Sequence, residues 1–146
     1  GRALRLRARV GRDVTVRVEI GRGGRVKPTA QGGVDWVSPW PAPFNYGFVP
    51  GELGGDGDPL DAILLGDTRA VGDEVRARVV GVVHYRDRGC VDDKLVCTTG
   101  SLSEAERRLV ERFFRWYAPL RFIVDVVKRR PGRSWTEGIE WERRAP

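Results

Sequence analysis

From Val14 to Ile20 every second residue is a branched aliphatic (Val14, Val16, Val18, Ile20), and the positions between them are Thr15, Arg17 and Glu19. A period of two gives one face for a core and one for water, which predicts a half-buried antiparallel strand and excludes an amphipathic helix. Ala3–Val10 repeats the pattern with Leu4, Leu6, Ala8 and Val10 alternating with Arg, and Gly11-Arg12-Asp13 reads as a short turn between two strands. Val34–Val37, Ala62–Leu65, the long Val-rich stretch Val75–Tyr85 and Lys94–Thr98 are further expected strands. Gly21–Gly24 and Gln31–Gly33 are breaker clusters. Ser38–Pro43, with three prolines, reads as a rigid extended connection.

Helical spacing is clear once. Ser103 with Glu106 three residues on forms a capping box, and Leu109, Phe113 and Trp116 or Tyr117 follow on one face, so a helix is expected over Ser103–Tyr117 with Pro119 ending it. Beyond it lie an apolar, β-branched stretch, Phe122–Val127, and a polar tail from Arg129. Five or more strands followed by one helix predict a mainly β fold with α, a small β-barrel with the helix packed against it. The 146 residues suit a single domain spanning 1–146, without internal repeats or a dividing linker. No run approaches 18 apolar residues, so a membrane helix is not expected, and no leader pattern is visible. Cys90 and Cys97 are too few for a disulfide framework and suit a reducing, cytoplasmic setting.

The net charge of +6 hides an uneven distribution. Residues 1–30 carry +7, residues 31–100 carry −5 and residues 101–146 carry +4, and eight of the eleven Asp fall between Asp56 and Asp93. Clustered carboxylates repel unless a cation sits among them. Asp56-Gly57-Asp58-Pro59-Leu60-Asp61 places three carboxylates in six residues, with Gly57 to bend the loop and Pro59 to stiffen it. Oxygen-only clusters suit hard cations such as Mg²⁺, which retain several waters. Asp-Gly-Asp alone is ordinary turn material, and an EF-hand is excluded because Asp61 stands where that loop needs Gly. Asp87, Asp92 and Asp93, after the long strand and directly before Lys94, supply a second acidic group, and the pair of clusters favours the metal reading.

Together these stretches resemble the soluble family I inorganic pyrophosphatases. Asp56–Ala62 matches that family's acidic signature, Phe44–Pro50 its Asn-Tyr-Gly stretch and Val79–Val83 its Val-Gly-Val strand. Asp87, Asp92 and Lys94 fall at the family's spacing, Glu19 and Lys27 at its early Glu and Lys, and Phe113–Tyr117 is similar to its late helix. The resemblance covers roughly Val14 to Leu120. It implies a closed OB-like five-stranded barrel and hydrolysis of a diphosphate with several Mg²⁺ ions, Mn²⁺ or another divalent ion being an alternative. Asp56, Asp61, Asp87 and Asp92 would hold the metals. Asp58 would orient and deprotonate the attacking water with help from Tyr46, while Lys27, Tyr46, Lys94 and Tyr117 would contact phosphate oxygens and Glu19 would order nearby waters. Of the 26 basic residues only three are Lys, and two of these, Lys27 and Lys94, stand where the family uses Lys; an ammonium is a compact point charge that Arg does not reproduce. A homo-oligomer, commonly a hexamer in bacterial relatives, is implied as well.

Four positions depart from the family pattern. Thr29 replaces a Glu, Trp36 an Arg, Ala42 an aromatic and Ala118 a Lys. The missing Arg and Lys belong to the departing phosphate. Three accounts stand open: Arg22, Arg25 or Arg121 replaces them; the leaving group is organic; or hydrolysis is degraded and the barrel binds a ligand or nucleic acid. Gly21–Arg25 resembles one RGG-type element, but the acidic middle would repel a phosphate backbone. His84, Cys90 and Cys97 are too loosely spaced for a transition-metal site and read as a strand-end His with two buried thiols.

Overall fold

Strand β1 (Asp13–Ile20) carries the burial pattern its alternation predicts, with Val14, Val16, Val18 and Ile20 all buried. The structure, a computed structural model, describes residues 6, 8–24, 26–28, 34–37, 41–55, 57–87, 89–127 and 134–143. The elements that follow are β2 (Val26–Pro28), β3 (Val34–Val37), β4 (Asn45–Leu53), β5 (Pro59–Leu64), β6 (Glu74–Asp87), β7 (Cys90–Val91), β8 (Lys94–Thr98), helix α1 (Glu104–Val127) and β9 (Ser134–Trp141).

Five of these strands close on themselves in the order β1–β4–β5–β8–β6, with β6 returning to β1 through pairs running from Asp13↔Arg78 to Arg17↔Glu74. Only β5 and β8 run parallel among them (Ala62↔Leu95). The fold is therefore mainly β with one long helix, a closed five-stranded barrel. Closure gives every barrel strand two partners, and β9, paired with β6 alone among the described residues, lies outside the barrel as an edge strand. β2 and β3 form a separate two-stranded ribbon.

The 14-residue β6 organises the rest. β8 lines one of its edges, while the other is shared: its first half pairs with β1 and its second half, Gly81–Asp87, with β9. Two apolar clusters follow from the period-two alternation. Val14, Val16, Val18, Val49, Leu60, Ala62, Leu64, Val79, Val82, Leu95 and Cys97 fill the barrel. Phe44, Ile63, Leu65, Val80, Val83, Tyr85 and Val96 cover its outer wall and meet Val110 and Phe114 of α1. A register shift between Val79 and Gly81 moves β6 from one parity to the other. Phe113 packs edge-on against both Phe44 (4.9 Å) and Phe114 (5.1 Å), and the Ser103–Glu106 capping box closes with bonds of 3.0 and 3.1 Å.

Four features differ from the sequence expectations. Residues 8–10 form a turn rather than part of a strand Ala3–Val10; residues 1–5 and 7 lie outside the described residues. Arg9 N–H donates to Leu6 O, and Leu6 and Val10 pack against the barrel core, a spacing of four that fits a helical turn as well as a strand. β4 goes against local propensity because Gly47, Pro50 and Gly51 are strand breakers, yet its register shifts between Val49 and Leu53 and absorbs the last two. α1 runs through Pro119 to Val127 and takes in Phe122–Val127. One proline removes a single ladder bond, at about 3 kcal/mol, without forbidding continuation, and the next breakers in sequence are Pro131-Gly132. The polar tail supplies β9, whose charged residues hide a strand pattern. No described helix is long and apolar enough to cross a membrane.

Candidate active site

The outer-wall rows that pack against α1 run on into polar side chains. On β5 the row Leu65, Ile63 arrives at Asp61; on β8 Val96 precedes Lys94; on β4 Phe44 precedes Tyr46; on β6 Val83 precedes Tyr85. Alternation keeps each row on one face, and the register aligns them, with Tyr46↔Ile63, Phe48↔Asp61, Ile63↔Val96 and Val83↔Lys94. Four strands thus bring Asp61, Lys94, Tyr46 and Tyr85 to one patch.

Lys94 is its centre. Its ammonium donates to Asp61 Oδ2 at 2.8 Å and to Asp92 Oδ2 at 3.0 Å, and lies 5.6 Å from the Tyr46 ring centre and 5.1 Å from that of Tyr85. With 3% of its side chain exposed, it is desolvated and held by two carboxylates and two aromatic faces. Two carboxylates facing one ammonium leave this cluster with surplus negative charge.

The Asn-Tyr-Gly stretch divides its work. Asn45, fully buried, accepts from the backbone N–H of Arg22 and Arg69 (both 2.9 Å) and donates to Leu64 O (3.1 Å) and Asp67 O (2.9 Å). Its amide has all its bonds, so it ties three chain segments together. Gly47 is needed because a Cβ there would lie 1.9 Å from Arg17 O across the strand pair. Tyr46 between them faces the site. Glu19 sits in the bulge of β1 between Val18 and Ile20, whose partners are Gly47 and Tyr46, and is half-buried. Asp58 is exposed in the loop before β5, where Gly57 takes a φ of 86° and Asp58 O accepts from Gly54 N–H at 2.7 Å.

The remaining expected site residues are placed less completely. Asp56 and Thr29 lie outside the described residues. For Lys27, Trp36, Asp87, Tyr117 and Ala118 the backbone is placed on β2, β3, β6 and α1, while their side chains lie outside the description. Ala42 is half-buried and bonded through its backbone to the turn Gly21–Gly24, accepting from Gly23 N–H and donating to Gly24 O. Among the described residues no three His, Cys, Asp or Glu are grouped to hold a metal ion. The donor chemistry still fits a hard divalent cation, because Asp61 and Asp92 aim carboxylate oxygens at a single cationic atom.

Among the described side chains, His84 and Cys97 do not form a joint site. Cys97 is buried inside the barrel, and burial pushes its thiol up to about 12. The Cys90 side chain lies outside the description. His84 lies between Asp93 and Glu140, a pairing that sequence spacing does not reveal because Glu140 belongs to the unexpected strand β9.

A fold of this kind with these residues has counterparts among known proteins. The family described as inorganic pyrophosphatase matches residues 18–130. An inorganic pyrophosphatase of Gluconobacter oxydans is 31% identical over 130 residues, covering 74% of this chain and 75% of that protein. One from Helicobacter pylori is 51% identical over 55 residues, 37% of this chain and 32% of that protein's length, so this higher identity spans about a third of the relative. The crystal structure of an inorganic pyrophosphatase from Neisseria gonorrhoeae superposes with a TM-score of 0.70 at 28% identity, covering 90% of this chain and 83% of that one. Fold and sequence agree, and the chain belongs to the inorganic pyrophosphatase family.

Proposed function

We propose that this chain hydrolyses a phosphoanhydride bond, splitting inorganic diphosphate or a related organic diphosphate with the help of divalent cations, Mg²⁺ before Mn²⁺. The observation that carries this reading is the convergence of Asp61 and Asp92 on the buried Lys94 beside Tyr46. Asp56, Asp61, Asp87 and Asp92 would hold the ions, and several ions fit the number of carboxylates. Divalent ions there neutralise phosphoryl charge and acidify bound water. Asp58, on an exposed loop next to β5, takes the proton as water adds to one phosphorus and the bridging oxygen leaves with the other phosphate. Tyr46 orients that water and, with Lys27, grips the attacked phosphoryl group. Lys94 and Tyr117 contact phosphate oxygens, and Glu19 orders waters behind Tyr46.

The altered positions Thr29, Trp36, Ala42 and Ala118 bear on the leaving group. Two lost cations remove on the order of 1.5–3 kcal/mol each of charge-assisted hydrogen bonding. Of the arginines considered as replacements, Arg22 already donates to Gly66 O at 3.2 Å. Trp36, Ala42 and Ala118 would make an apolar wall there, suited to a leaving group that is organic in part. The protein works as one cytoplasmic domain and as a homo-oligomer, hexameric as in bacterial relatives. Trp116, 67% exposed on α1, and Leu109, two turns earlier on the same helix, give self-association two exposed apolar side chains; a sizing measurement reads it.

Phosphate release with Mg²⁺ from inorganic diphosphate and from a panel of organic diphosphates tests the reading, with Asp58→Asn as control. We expect turnover on at least one substrate and its loss, by about 10²-fold or more, in the variant. No turnover on any substrate, or turnover that Asp58→Asn leaves intact, overturns it. Salt-dependent binding of a labelled oligonucleotide without hydrolysis would instead favour a nucleic-acid-binding barrel.

A further inference from the structure

The chain contains a single histidine, and it stands one residue outside the described patch. His84 Nδ1 lies 3.2 Å from Asp93 Oδ2 and His84 Nε2 lies 3.1 Å from Glu140 Oε1. Carboxylate oxygens only accept when ionised, so a ring nitrogen that carries a hydrogen donates to the carboxylate facing it. Asp93 is buried, and its other oxygen accepts Tyr85 N–H at 3.1 Å. The next peptide reciprocates, because Asp92 N–H donates to Tyr85 O at 2.8 Å. Asp92 and Lys94 flank Asp93 in sequence, and Tyr85 itself underlies the Lys94 ammonium. The short segment that carries two site residues is therefore fastened to β6 at Tyr85, with His84 locking the middle side chain.

Glu140 extends the fastening to β9. That strand pairs with β6 through a register shift between His84 and Tyr85, opposite Gly138, whose φ of 125° permits the irregularity. The shift coincides with the imidazole, which spans 9 residues to Asp93 and 56 residues to Glu140. A second ion pair on the same strands, Arg86 Nε to Glu137 Oε1 at 3.2 Å, is exposed. It serves as an internal comparison.

We infer that His84 is a positioning residue: braced by Glu140 of the C-terminal strand, it holds Asp93 and thereby sets Asp92 and Lys94 for metal and phosphate. The inference rests on the proposed site reading of Asp92 and Lys94. Groups that orient metal ligands from behind commonly contribute 10–100-fold to metal affinity.

The test is Mn²⁺ titration of the full chain by calorimetry without substrate, paired with the half-saturating Mg²⁺ concentration for diphosphate hydrolysis. His84→Asn keeps a donor near the Nδ1 position toward Asp93, whereas His84→Gln places one near Nε2 toward Glu140. We expect His84→Gln to weaken Mn²⁺ about 10-fold, His84→Asn to stay within about 3-fold and Glu137→Gln to match wild type. Glu140→Gln, which loosens only the brace, is the second variant if a His84 substitution melts early. Metal affinity unchanged in both His84→Gln and Glu140→Gln, or lowered equally by Glu137→Gln, overturns the positioning role. Metal binding without hydrolysis would refute the proposed activity alone, since the affinities still judge His84; no Mn²⁺ binding by wild type would refute both.

Discussion

Lys94→Met removes the ammonium and keeps most of the side-chain volume, so its effect is chiefly electrostatic. The structure leaves Asp61 Oδ2 and Asp92 Oδ2 facing the same emptied point, each having lost a bond of 2.8–3.0 Å. Removing one partner of a buried ion pair costs about 3–5 kcal/mol because the other charge stays desolvated. Here the side chains of Asp61 and Asp92 retain 23% and 13% of their exposure, so water reclaims part of the loss and about 3 kcal/mol is the expected cost. For a chain of this size that lowers Tm by roughly 6–12 °C. A divalent ion can occupy the same carboxylates, and a ligand at a hundred times its Kd returns about 2.7 kcal/mol. Melting curves in chelator and in millimolar Mg²⁺ should therefore show a large deficit for the variant that Mg²⁺ narrows by more than half, while wild type gains less. A deficit under about 1 kcal/mol in chelator would refute the claim that Lys94 holds the two carboxylates together. Equal Mg²⁺ stabilisation of both proteins would refute the proposal that Asp61 and Asp92 hold a divalent ion.

Two further outcomes follow from the barrel. Gly47→Ala forces a Cβ to within 1.9 Å of a backbone oxygen of β1, which cannot swing aside as a side chain could, so the urea midpoint should fall by an amount worth at least about 3 kcal/mol; Gly100→Ala, in open space, should stay within about 0.5 kcal/mol. Cys97 holds its proton to about 12 in the fold but releases it near 9.0 when unfolded, so the unfolded chain binds fewer protons between those values and stability falls as pH rises. Urea melts at pH 8, 9 and 10 should show this decline, about 1 kcal/mol between pH 9 and 10 from this thiol alone, reduced in Cys97→Ala; identical slopes would refute the burial argument.

Most stretches with a strong local period are legible in the chain itself, although the alternating Ala3–Val10 ends in a turn at residues 8–10. Val14–Ile20, Val34–Val37, Val75–Tyr85 and Lys94–Thr98 lie where alternation puts them, and the capping box starts α1 at its expected end. Segments whose local chemistry contradicts their place are not legible in this way. β4 contains Gly47 because β1 crosses too close for a side chain, and β9 is charged because much of its outer face meets water. The site is legible as a set of types, Asp, Lys and Tyr at recognisable spacings. Its inner organisation is not: Lys94 as the hub of two carboxylates, Asn45 as a four-bond tie and His84 as a bridge are all relations between strands.

The sequence by itself determined which residues face a core, where the one long helix begins and which family the chain resembles, because these depend on neighbours within a few positions. The tertiary structure alone decided that β6 closes on β1 while sending its far half to β9, and that Asp61 and Lys94, 33 residues apart, share a hydrogen bond. Period two says which way a side chain points but not which strand lies beside it. Partner choice is settled by the whole barrel burying its apolar faces at once, and the charged patch forms where the outer-wall rows turn from apolar to polar.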